Sequence, residues 1–277
     1  MVRQLLPPLL APLLFIIEGC GTGAPATGTR YGAWVTPSRI ATINGIAIGP
    51  INSGMLTDSS QRPVLQSING ISVELIGAGI LVPLAPYSPS GRDKVMEAMR
   101  MADSSDTTQA LEYQDWSSPT VNGLALSLTG TLGLGTVNGI APSPLSGYTH
   151  RVNGIAASLM VQFVDELNGL GVGGLVIDAY TLNGLQLAVY INATHRTNGV
   201  QIAATNSSDH LCGLQLGLVN IAHTTRGAQI GVYNWGGDMR GVQIGGVNRV
   251  GPGFKGVQLG LLNIGPPGIW PLLSVAL

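Results

Sequence analysis

Glycines open short apolar runs at a near-constant interval along the second half of this 277-residue chain. Gly139, Gly154, Gly169, Gly184 and Gly199 are fifteen residues apart, Gly213, Gly227 and Gly241 follow at fourteen, and Gly256 at fifteen. A fixed short period marks a repeat architecture and takes precedence over any local assignment of helix or strand. The unit is clearest from Gly184 onward, as in Gly213-Leu214-Gln215-Leu216-Gly217-Leu218-Val219-Asn220. Weaker copies begin at Gly45, Gly70 and Gly123.

Strand side chains alternate, so Leu214, Leu216 and Leu218 share one face and Gln215, Gly217 and Val219 the other. The leucine face is expected to be the core. Gln recurs at 186, 201, 215, 229, 243 and 258, and Asn at 192, 206, 220, 234, 248 and 263. Identical amides in identical phase suit an in-register parallel stack, where each bonds to its copy on the next coil. The expected fold is all-β, a parallel β-solenoid of 14–15-residue coils.

The competitor is an antiparallel β-barrel, because Asn-Gly, a strong hairpin signal, occurs at 44, 69, 122, 138, 153, 168, 183 and 198. Hairpins at every Asn-Gly would leave only a few residues per unit, such as 194–197, for a return strand. A barrel with one strand per unit needs two alternating turn chemistries, and this repeat has one. A membrane barrel with Gln and Gly lining a lumen and Leu and Ile facing lipid, a small outer-membrane pore, is the alternative reading.

Forty glycines against three phenylalanines favour a narrow core. With 10% charged residues and a net charge of -1, the chain advertises no electrostatic partner, and nucleic acid is not expected. The repeat domain is placed at 31–265. Within it, 90–118 loses the glycines and gathers charge, and Lys94–Ala102 has the composition of a short amphipathic helix, so a helical insertion is expected there. Residues 266–277 drop the pattern and read as an apolar C-terminal cap over the last coil.

At the N-terminus a basic start at Arg3, an apolar run from Leu5 to Ile17 and the sequence Ile17-Glu18-Gly19-Cys20 read as a secretory signal ending in a lipobox. The expectation is a signal peptide over 1–19, acylation (palmitate) of Cys20, and a flexible Gly/Ala/Thr-rich tether over 20–30. The membrane is then a partner through the lipid anchor, and the location is the bacterial cell envelope, at the outer membrane or cell surface.

No Gly-x-Ser-x-Gly, His-Glu-x-x-His or phosphate-loop pattern is present, so the chain is read as a non-enzyme with no cofactor. The period exposes one group of imidazoles. His195 and His210 each fall eleven residues after their unit glycine, and His223 falls ten after Gly213. Coils stack about 4.8 Å apart, which makes these three a candidate metal site. Arg226, Arg240 and Lys255, each just before a unit glycine, form a candidate binding row for an anionic polymer or lipid headgroup.

The Gly-x-Gln-x-Gly-x-x-Asn core resembles the short surface-repeat lipoproteins of spirochaetes and other bacteria. The likeness covers 184–265 well and 123–183 loosely. It implies a noncatalytic envelope protein presenting a stacked β surface for adhesion or scaffolding, with a surface polymer or a protein as partner.

Overall fold

The computed structural model describes residues 27–50, 65–75, 119–130, 132–266 and 268–276. The strands are β1 (Thr29–Val35), β2 (Thr42–Gly49), β3 (Ser67–Glu74), β4 (Thr120–Ser127), β5 (Leu132–Ser143), β6 (Ser146–Ser158), β7 (Val161–Gly173), β8 (Val176–Ala188), β9 (Ile191–Ile202), β10 (Thr205–Val250), β11 (Lys255–Gly265) and β12 (Gly268–Ala276). They form one 12-stranded sheet whose spatial order is the chain order. No helix occurs among the described residues. The signal over 1–19, Cys20 and the helical insertion expected at 90–118 all lie outside them.

Pairing is parallel from β1 through β11, and unit glycine stacks on unit glycine: Gly45 on Gly70, Gly70 on Gly123, Gly184 on Gly199, Gly199 on Gly213. The chain is therefore a β-solenoid, with β10 winding through the glycines at 213, 227 and 241 without a break. The barrel alternative is overturned, because the sheet stays open and, among the described residues, antiparallel pairing occurs only where β12 turns back on β11. Register survives two long departures of the chain. Asn69 stacks on Asn44 across 25 residues and Asn122 on Asn69 across 53.

Asn-Gly lies inside the strands, where it makes a corner. The unit glycines from Gly45 to Gly256 hold φ between 136° and 147°, a conformation that side chains resist. At Gly213 an added Cβ would overlap the carbonyl oxygen of Gly199, one coil below. Glycine is required here by both dihedral and packing. The bend also decides direction, since the residues on either side of it, such as Asn198 and Val200, both lean outward while Thr197 and Gln201 are buried.

That direction reverses the expected inside and outside. Gln215 is fully buried, whereas Leu218 is 60% exposed and Leu214 and Leu216 only half-buried. The core is thin, and the second residue after each glycine is small in the early coils (Ala47, Ser72, Ala125, Ala141, Ala156). Later coils put Gln there, which is tolerable only because the amides satisfy one another. Gln201 Nε2 donates to Gln186 Oε1 at 3.0 Å, Gln215 to Gln201 at 2.9 Å, Gln229 to Gln215 at 2.8 Å, Gln243 to Gln229 at 2.7 Å and Gln258 to Gln243 at 2.9 Å. A second buried ladder runs Asn192, Asn206, Asn220, Asn234, Asn248, Asn263, each Nδ2 donating to the next Oδ1 at 2.8–3.0 Å. Donors thus point down the stack in one ladder and up it in the other, so the two rows of amide dipoles oppose.

Apolar packing gathers in three clusters along the stack. Ile43, Ile68, Val121 and Val137 fill the first coils, Val152, Leu167 and Leu182 the next, and Met239, Val250 and Phe254 the last, against which Ala276 of β12 packs.

Candidate functional site

Three outward features of the stack carry chemistry. The first is the histidine corner. The coil that begins at Gly199 is one residue shorter than its predecessor, so Asp209, not His210, comes to lie over His195, and His210 pairs with Arg196. Asp209 accepts from His195 Nδ1 at 3.0 Å through Oδ2, and its Oδ1 lies 3.2 Å from His223 Nδ1. His195 is further fixed by stacking on Tyr180 at 4.8 Å and by an edge contact with His210 at 5.4 Å. His223 sits edge-on to Trp235 at 5.3 Å. Imidazole and carboxylate alternate along the corner where three imidazoles in a row were expected. No group of three His, Cys, Asp or Glu side chains among the described residues is placed to hold a metal ion. The signal that finds Asp209 in the sequence is the change of interval from fifteen to fourteen.

Two and three coils below His195, the same corner holds Asp165 Oδ2 at 2.8 Å from His150 Nδ1, and Asp165 also accepts from Tyr148 Oη at 3.0 Å. Beside it Arg151 Nε donates to Glu166 Oε2 at 2.6 Å. That hydrogen bond, ahead of the opposing cost of burial and the added attraction of charge, holds the Glu166 carboxyl below its ordinary range and raises the Arg151 guanidinium.

The second feature is the column just before the unit glycines. It is an exposed asparagine ladder from Asn44 to Asn198, joined by Nδ2 to Oδ1 bonds of 2.7–2.9 Å. Cys212, a free and exposed thiol, follows it. Arg226, Arg240 and Lys255 continue the column, all exposed, with Arg240 in register with Lys255. The candidate binding row is thus one continuous edge, with no acidic partner among the described residues.

The third feature lies on the face that apolar alternation predicts as core. From Gly45 to Gly256 the first and third residues after every unit glycine are apolar, point outward and carry no charge. Ile46, Ile140, Ile202, Ile244 and Leu259 are 38–50% exposed. The band turns the next corner, where Leu128, Leu159, Val189, Leu218, Val232 and Leu261 are 60–72% exposed. Among the described residues this flank is therefore aliphatic, with no charged side chain at the first and third positions after the unit glycines.

The chain matches no protein-family model, no curated protein and no solved structure in comparisons with known proteins.

Proposed function

We propose that this is a lipid-anchored, noncatalytic protein of the bacterial cell envelope, whose rod offers a repetitive β surface for adhesion or scaffolding. The observation that carries this reading is the constancy of the outward rows. Coil after coil repeats the same side-chain chemistry at the same height, so the rod offers many equivalent contacts. At the polar corner His150 is hydrogen-bonded to Asp165 and His195 to Asp209, which suits a structural role. The lipobox at Cys20 supplies the attachment, and the tether that follows it leads into β1 at Thr29.

The test is metabolic labelling with palmitate in a bacterial host, with envelope fractionation. Label in the wild-type chain and its loss, together with release from the membrane fraction, in Cys20→Ala is the expected result. An unlabelled wild-type chain in the soluble fraction overturns the anchor.

A further inference from the structure

The aliphatic band has a shape as well as a composition. A flat apolar sheet face suits a second sheet stacked about 10 Å away. Here the most exposed side chains lie on the convex corner, at Leu128, Leu159, Leu218, Val232 and Leu261, and less exposed ones on the flat face beside it. A planar partner covering the face would leave that ridge in water. A lipid surface accepts a ridge, and strands between the two ends of the sheet make their backbone hydrogen bonds to neighbouring coils within the stack, which lowers the cost of placing their side chains in lipid. Contiguous apolar surface of this extent is otherwise rare on a free soluble chain.

Charge is arranged to match. Toward the C-terminal end Arg226, Arg240 and Lys255 border one side of the band, each separated by its unit glycine from Ala228, Val242 and Val257, and exposed Arg249 lies past its other side. Long basic side chains flanking an apolar strip reach the headgroup layer while the strip enters the acyl boundary, the arrangement of interfacial amphipathic elements. Anionic headgroups complement a basic row that has no acidic partner among the described residues.

We infer that the rod lies along an anionic bilayer surface, its aliphatic band in the lipid, with Arg226, Arg240 and Lys255 on the headgroups and the histidine corner turned to water. The inference rests on the lipid-anchored reading for the attachment that brings the rod to the membrane. Eight residues lie between Cys20 and Thr29, a reach of at most about 30 Å. Anchoring alone leaves the rod free to stand away from the surface, and the band makes it lie down.

The test uses the full, lipidated chain in vesicles of phosphatidylethanolamine and phosphatidylglycerol, in a Cys212→Ser background. An environment-sensitive fluorophore is placed at Leu218→Cys, at Val232→Cys as a second band position, and at Asp238→Cys on the polar side. Band labels are expected to shift to the blue, to be quenched several-fold more by nitroxide lipids than the Asp238→Cys label, and to resist iodide. Replacing Arg226, Arg240 and Lys255 by Ser, or phosphatidylglycerol by phosphatidylcholine, is expected to weaken this contrast. Equal iodide quenching at all three sites overturns the inference. So does protection from iodide without nitroxide-lipid quenching, which is the signature of a second copy on the band. A chain that carries no lipid yet shows the contrast when vesicles are added removes the anchor and keeps the band, so the two failures are told apart.

Discussion

At the residue scale, the corner glycines are the least replaceable positions. Gly213 combines φ of 144° with a neighbouring carbonyl where a Cβ would stand, so Gly213→Ala is expected to lose about 3 kcal/mol or more in chemical denaturation. The Arg151–Glu166 pair is a smaller matter, because both side chains are about 40% exposed and solvent screens them. Its sign follows from the lowered carboxyl of Glu166. The stabilisation is present above the unfolded-state value and is lost as pH falls through the folded one. The difference in stability between wild type and Glu166→Gln is expected to be at most about 1 kcal/mol at neutral pH and to vanish in acid, as read from unfolding midpoints across pH.

At the scale of the element, the amide ladders behave as strings whose interior links matter more than their ends. Gln186 opens one string with its Nε2 buried and unpartnered, and Asn192 opens the other with an unpartnered Oδ1. Gln186→Leu removes a group that was already unsatisfied and orphans only one neighbouring bond. Gln215→Leu strands both Gln201 Oε1 and an N–H of Gln229, at about 1–3 kcal/mol each. The midpoint shift in urea is expected to be clearly larger for Gln215→Leu. Equal shifts count against the ladder as a cooperative string. Parallel stacking is legible in the sequence, because only an in-register stack gives Gln and Asn a reason to recur in phase. Which face is inside is not legible from alternation, since parity fits either choice and hydropathy favours Leu214, Leu216 and Leu218. The deciding facts are the outward lean on both sides of Gly213 and the thinness of the coil, and neither is written in the pattern of apolar residues. The histidine corner is not legible from the unit glycines for a related reason, since the coil from Gly199 to Gly213 is one residue short and shifts His210 out of the column of His195.

At the scale of the whole molecule, a solenoid is nearly additive in its coils. Deleting 214–227, one fourteen-residue unit, is expected to leave a folded, cooperative rod shorter by about 4.8 Å along its axis in small-angle scattering. Deleting 214–220 alone moves each later side chain out of its column and is expected to prevent folding of the C-terminal coils, seen as lost amide protection in hydrogen exchange. A polar interior beneath an aliphatic exterior is the property on which the membrane orientation depends. Its most direct test is the thermal stability of two adjacent, nearly isosteric exchanges on one strand, Gln229→Leu and Ile230→Gln. Gln229 is fully buried between Gln215 and Gln243, and Ile230 is 38% exposed. The expected result is a loss of about 2–5 kcal/mol for Gln229→Leu and a change within about 0.5 kcal/mol for Ile230→Gln. The opposite order, with Ile230→Gln the damaging change and Gln229→Leu neutral, would contradict it.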